Sequence, residues 1–239
     1  MNYALIFAGG VGRRMNSKAL PKQFLQINSK PIIIHTIEHF DNHPEIDAIC
    51  VVCVSDWLDH LKIILSKHNI NKVRWIVAGG DTALDSQYYG LKSINEKAND
   101  DDIVLIHDGV RPIIDEQLIS QCIASVKEYG SGVCAVPATE TIIQVNEKGF
   151  IQSTMLRSEC MLARAPQAFY LKEILRIHEK AIRDAKHSFI DSATMMLAYG
   201  KSVHIVQGAE ENLKVTTPSD FYICKALLDA KESSQLFGL

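Results

Sequence analysis

Apolar residues along this chain alternate between short continuous runs and longer stretches in which they recur every three or four positions. A continuous run suits a strand buried on both faces, whereas the wider spacing suits one face of a helix. Residues 3–7 (YALIF) form the first run. Residues 32–40 (IIIHTIEHF) begin a helix, 48–54 form a second strand, and 57–67 a second helix. A third strand at 73–77 runs into the turn Gly79-Gly80-Asp81, followed by a helix over 86–96. Residues 102–106 form a very apolar strand that ends in HDGVRP; a helix at 116–129 and a strand at 132–136 follow. This βαβα order predicts a mostly parallel sheet with right-handed crossovers.

The pattern changes over residues 137–159, where ETIIQVNEKGFIQSTML reads as two extended segments about a turn at 146–149. That is a hairpin, placed as an arm leaving an α/β domain built from 1–136 and 160–239. Helices are then expected at 171–186, 190–199 and 219–231, with a strand at 203–206. There are no internal repeats and no low-complexity stretch.

Composition narrows the function classes. The chain has 239 residues, 47% hydrophobic and 22% charged, which is ample for a packed core. Its formal net charge of −3 argues against bulk attraction to nucleic acid or to an anionic membrane. Any anion site must come from a local cluster of Lys and Arg. The apolar start leads straight into a motif, and no run of about 18 apolar residues exists to span a membrane. Cys50 and Cys53 form a C-x-x-C, but inside ICVVCV they read as reduced core cysteines, and the six cysteines are otherwise scattered. A cytoplasmic location is expected.

Four polar clusters fall where strands end, the edge at which open parallel sheets bind ligands. The first is AGGVGRRM at 8–15, with Pro21-Lys22-Gln23 one loop later. Gly9, Gly10 and Gly12 let backbone N–H groups approach phosphate oxygens, and Arg13, Arg14 and Lys22 add charge. The glycines alone fit any tight turn; the cations make a phosphate site. The loop is neither a Walker A nor a dinucleotide fingerprint. The second cluster, Gly79-Gly80-Asp81 with Ser86, fits base contacts or equally a turn with a helix cap. The third is HDGVRP, whose Asp108 and Arg111 suggest a phosphate or metal neighbourhood or a structural ion pair. In the fourth, Asn212-Leu213-Lys214-Val215-Thr216, a lysine interrupts what reads as an apolar strand.

Taken in order, AGGVGRRM…PKQ, GGD…S, HDGVRP and NLKVTTPSD resemble the cytidylyltransferases that make CDP-linked polyols. The resemblance covers essentially the whole chain. Two branches are relevant, one acting on 2-C-methyl-D-erythritol 4-phosphate and one on ribitol 5-phosphate. The segments PKQFLQINSKPIIIHTIEHF, SDWLDH and NLKVTTPSD are more similar to the ribitol branch. The resemblance implies a Rossmann-like sheet with a β-arm that hooks onto a second subunit, giving a homodimer. It implies a Mg²⁺-dependent reaction of CTP with a polyol phosphate to give a CDP-polyol and pyrophosphate. By motif match, Arg14, Lys22 and Lys214 are expected to stabilise the transition state. Ala8, Gly9, Gly10, Gly12, Gly80, Asp81, Ser86 and Gly109 match positions that hold CTP. Asp108 and Arg111, with Thr141 and Arg157 on the arm, match positions that reach the acceptor. The metal is expected to rest mainly on phosphates, with Asp108 nearby.

This chain departs from the family pattern at Ala83, where an Arg is common, and at Ile190, where a Thr is common. Arg164-Ala165-Pro166-Gln167 replaces LTPQ or QTPQ, and HDGVRP replaces HDAVRP or HDSVRP. The acceptor half is therefore less clearly matched than the nucleotide half. A sugar-1-phosphate nucleotidyltransferase, a nucleotide-binding module without catalysis and a nicotinamide-dependent oxidoreductase remain as alternatives.

Overall fold

The structure, a computed structural model, describes residues 1–9, 20–96, 98–186 and 188–237. Gly10, Gly12 and Arg14 lie outside the described residues. The parallel half of the sheet starts with β1 (Asn2–Ala8), β4 (Ala48–Cys53), β5 (Val73–Ala78) and β6 (Ile103–Asp108). Every residue of β4 and β6 is buried, as their unbroken apolar runs require. β7 (Ser131–Pro137), β10 (Met161–Tyr170) and β11 (Ile205–Gln207) complete seven strands in the order β11-β7-β10-β6-β1-β4-β5. β1 runs parallel to β4 and β6, and β10 runs antiparallel to both β6 and β7.

Helices cover both faces. On one side α1 (Ile32–Asp41), α2 (Leu58–Lys67) and α4 (Glu116–Tyr129) pack around Ile33, Ile37, Phe40, Leu61 and Ile119. On the other, α3 (Ala83–Asn95), α5 (Leu171–Arg183) and α6 (Ser192–Ala198) close over Leu5, Val52, Leu91, Ile106 and Phe169. A third cluster joins the short ribbon β2 (Gln26–Ile27) and β3 (Lys30–Pro31) to Val110, Val215 and α7 (Pro218–Phe237). Asp220 ties the start of α7 to the chain before it, accepting from the Thr216 N–H (2.9 Å) and hydroxyl (2.6 Å) and the Thr217 N–H (2.7 Å).

Two sequence expectations are corrected. The ten-residue β10, central to the sheet, falls where the apolar pattern assigns no element, and its Pro166 lacks an N–H for a ladder bond. The sheet accommodates it by a register shift between Ala163 and Gln167. Conversely, residues 212–216 form no strand, although the Val215 N–H donates to the Val110 carbonyl at 2.9 Å. The hairpin is present as β8 (Ile143–Val145) and β9 (Ile151–Thr154), paired only with each other and exposed at every strand position.

The cysteines are all free and buried. Burial pushes the Cys50 thiol up to about 12 and the Cys53 thiol to about 11. Neither is a thiolate at neutral pH, so C-x-x-C here is core packing.

Candidate active site

Parallel strands end together, so the residues just beyond β1, β5 and β6 converge although the sequence separates them widely. They border a cavity of about 230 Å³ whose described lining includes Ala8, Gly9, Lys22, Gly80, Asp81, Ser86, Asp108 and Lys214. Eight of the expected residues thus meet at one place. Phe7, Gln23, Thr82, Ala83 and Val110 line it as well. Gly109 and Arg111 adjoin it through Asp108. Thr141 and Arg157 lie on the exposed arm, where Arg157 Nη1 donates to the Thr139 carbonyl at 3.3 Å, and do not line it.

Lys22 sits on a single 3-10 turn, Lys22–Phe24, and donates through Nζ to the Val215 carbonyl at 2.9 Å. The next residue, Gln23, is buried and its side-chain amide donates to the Ala8 carbonyl at 2.8 Å. That bond fastens the lysine's turn to the end of β1. The motif Pro-Lys-Gln therefore divides its labour between a ring that presets the turn, a charge and an anchor.

Asp108 is the centre of the charge arrangement. Its Oδ1 meets Lys214 Nζ at 2.5 Å, and its Oδ2 accepts from Arg111 Nε at 2.8 Å. Burial alone raises the Asp108 pKa, but Lys214 and Arg111 together outweigh it and hold the carboxyl below the usual carboxylate range. One anion therefore meets two cations at the cavity wall, and Lys22 lines the same cavity. Such a set attracts a polyphosphate. Beside Asp108, His107 is wholly buried and its pKa falls to about 4, so it is a neutral packing group.

The glycine loop also has a packing role. A Cβ on Gly9 would lie 2.6 Å from Ser86 Oγ. Ser86 is not the helix cap that its position suggested: Thr82 caps α3 in a capping box with Asp85. Ser86 Oγ donates to the Thr82 carbonyl (3.0 Å) and accepts the Gly80 N–H (3.1 Å), holding the GGD turn against Gly9. Gly109 is similarly confined, since its Cβ would stand 3.0 Å from that of Ala8.

The sequence places Asn212 in the fourth cluster but assigns it no role. It is 1% exposed; its side-chain amide donates to the Ala165 carbonyl at 2.6 Å, and its own carbonyl accepts Arg111 Nη1 at 2.8 Å and Arg164 Nη1 at 2.7 Å. The signal was the unexplained Arg164, which only this contact accounts for. Ile190 is 88% exposed and is not among the residues lining the cavity, whereas Ala83 lines its wall and leaves room where an arginine would stand.

Among the described residues no group of three His, Cys, Asp or Glu side chains is arranged to hold a metal ion. Two carboxylates, Asp81 and Asp108, do line the cavity. Magnesium at nucleotide sites rests on one or two carboxylates plus phosphate oxygens and water, and these donors fit that use.

The sequence pattern of one family, described as IspD: 2-C-methyl-D-erythritol 4-phosphate cytidylyltransferase, matches residues 3–230. A protein of Streptococcus agalactiae named ribitol-5-phosphate cytidylyltransferase is 50% identical over the full length of both chains. A 2-C-methyl-D-erythritol 4-phosphate cytidylyltransferase of Clostridium botulinum is 39% identical, over 95% of this chain and 97% of that one. The crystal structure of the 4-diphosphocytidyl-2C-methyl-D-erythritol synthase of Anaerococcus prevotii superposes with a TM-score of 0.83 at 26% identity, covering 95% of this chain and 96% of its own.

Proposed function

This chain belongs to the IspD family of cytidylyltransferases, and from that premise we propose that it transfers the cytidylyl group of CTP to D-ribitol 5-phosphate, giving CDP-ribitol and pyrophosphate. The observation that carries the reaction type is the pairing of Lys214 and Arg111 with Asp108 at the edge of a cavity that Lys22 also lines. The acceptor is chosen on the half-identical, full-length relative of that name. A second acceptor, 2-C-methyl-D-erythritol 4-phosphate, is favoured by the family description.

The acceptor phosphate supplies its own nucleophilic oxyanion, so no general base is needed. One of its oxygens forms a bond to the α-phosphorus in line as the bond from that phosphorus to the β-phosphate bridge breaks. The electron pair leaves with pyrophosphate. Positioning and charge neutralisation then carry the rate. We assign Lys22 and Lys214 to the α-phosphate, joined by Arg14, and the turns at Ala8–Gly9 and Gly80–Asp81, with Ser86 and Gly109 behind them, to the nucleotide; Gly10 and Gly12 belong to the same loop. Asp108 and Arg111 face the acceptor. Bound magnesium would neutralise triphosphate charge, held by phosphate oxygens with Asp108 alongside.

The arm is assigned to a homodimer, in which Thr141 and Arg157 reach the acceptor phosphate of the partner subunit. Its exposed Ile143, Val145, Phe150, Ile151 and Leu156 support this, because so many adjacent apolar side chains suit a covered surface. Among the described residues no helix is long and apolar enough to cross a membrane. The free buried thiols suit the cytoplasm, and the small negative net charge suits a protein with no nucleic-acid or membrane partner.

Pyrophosphate release from CTP, measured in parallel with ribitol 5-phosphate, 2-C-methyl-D-erythritol 4-phosphate and glycerol 3-phosphate, decides the acceptor. Ribitol 5-phosphate is expected to give the highest kcat/KM, and a preference for the methylerythritol compound would replace it.

A further inference from the structure

The strand β10 and the segment that carries Lys214 are locked to each other in both directions. Arg164 Nη1 donates to the Asn212 carbonyl at 2.7 Å, and the Asn212 side-chain amide donates back to the Ala165 carbonyl at 2.6 Å. The same Asn212 carbonyl takes Arg111 Nη1 at 2.8 Å, while Arg111 Nε holds one oxygen of Asp108. Two residues on, Lys214 Nζ meets the other Asp108 oxygen. One residue further, the Val215 carbonyl accepts Lys22 Nζ and its N–H donates to Val110. Residues 212–215 are therefore the piece of backbone that sets Lys22, Arg111 and Lys214 in register. Asp220 holds that segment at its far end; Arg164 and Ala165 hold it at the near one.

Arg164 sits badly for a residue whose task is stability. Burial, and then the neighbouring Arg111 charge, lower its pKa. Among the described residues its side chain donates one hydrogen bond, to the Asn212 carbonyl, and no carboxylate stands within ion-pair distance, Glu210 acting on it only from further off. A cation half-buried beside another cation stabilises a fold poorly. A guanidinium is well suited, though, to fixing a carbonyl at a defined distance.

We infer that Arg164 is a positioning residue for cytidylyl transfer: through the Asn212 carbonyl it holds Lys214 in register with Lys22 at the reacting phosphate. The inference rests on the reaction proposed above. In Arg164→Met, kcat is expected to fall about tenfold, with KM for CTP and for the acceptor changed less than about twofold, as suits a misplaced catalytic charge. Arg164→Lys can still donate to Asn212 and regains most of that loss. In a Lys214→Met background, Arg164→Met lowers the residual turnover by less than about twofold, because the group it acts through is gone.

Full additivity of the two substitutions overturns the inference. So does a raised acceptor KM at unchanged kcat, which would mean that Arg164 touches the acceptor itself. A readout on the unliganded protein separates this from the reaction assignment: the rate of reductive methylation of Lys214, followed by peptide mass spectrometry. Several-fold faster labelling in Arg164→Met than in the unsubstituted protein supports the inference. Equal rates overturn it, whether or not the protein turns CTP over. Absence of CTP-dependent pyrophosphate release from the unsubstituted protein overturns the reaction assignment instead, and the labelling result then judges Arg164 alone.

Discussion

Lys22 and Asn212 show how differently single residues can announce themselves. Lys22 is flagged by its motif, and its lysine head stands at the cavity where the motif implies. Removing one preorganised charge of this kind costs on the order of 10²-fold in turnover. Lys22→Ala and Arg14→Ala are therefore each expected to lose about that much kcat in a pyrophosphate-release assay; near-normal rates in both would remove their assigned roles. Gly9 makes a second residue-scale prediction. Its missing Cβ leaves room for Ser86 Oγ, so Gly9→Ala forces the serine off the Gly80 N–H. A loss of about 1–3 kcal/mol in stability is expected by denaturant titration. Adding Ser86→Ala should restore part of it, because the obstructing oxygen is removed.

At the scale of elements, α1 does more than cover the sheet. Its two histidines, and His43 just past its end, each place Nε2 at a main-chain carbonyl: His35 on Ile27 (2.9 Å), His39 on Pro112 (3.0 Å) and His43 on Glu116 (3.1 Å). The helix thereby pins the loop that follows Asp108. Burial lowers the pKa of His35 and of His39, and takes His107 from 6.5 down to about 4. The folded state thus prefers these rings neutral, while the unfolded chain binds protons at higher pH. The contribution of His107 is fully present above about 6.5 and is lost as pH falls towards about 4, and those of His35 and His39 are lost in the same direction. Thermal melts should fall steeply across that window. His39→Gln, which does not titrate but can reach Pro112, should flatten part of the slope; an unchanged slope would exclude His39 as a contributor.

At the scale of the whole molecule, the proposed dimer gives the arm's exposed apolar face a partner. Phe150 is 68% exposed and Leu156 64%, and neither has a core to join within its own chain. A charge placed there should not harm the fold but should break a dimer that buries the hairpin. Phe150→Asp with Leu156→Asp is expected to sediment as a monomer, to keep CTP binding by calorimetry, and to lose the turnover that the proposed reach of Thr141 and Arg157 into a neighbouring site would support. A parent protein that sediments as a monomer at micromolar concentration would remove this role for the arm.

Much of this architecture was readable along the chain, because parallel strands buried on both faces leave continuous apolar runs and helices leave a three-to-four spacing. β1, β4, β6 and α4 appear almost to the residue. The clusters AGGVGRRM, GGD, HDGVRP and NLKVT likewise stand out along the chain, since each departs sharply from the apolar strand or helix beside it. What the sequence could not decide was set by contacts between distant segments. β10 is a strand because its neighbours β6 and β7 supply partners that tolerate Pro166, not because its own residues favour one. Residues 212–216 look like a strand locally, yet Val110, Lys22 and Arg164 claim their backbone groups. The sequence by itself determined the elements and the chemical groups. Tertiary structure decided which charges meet, because hydrogen bonds that span about a hundred residues leave no periodic trace in the chain.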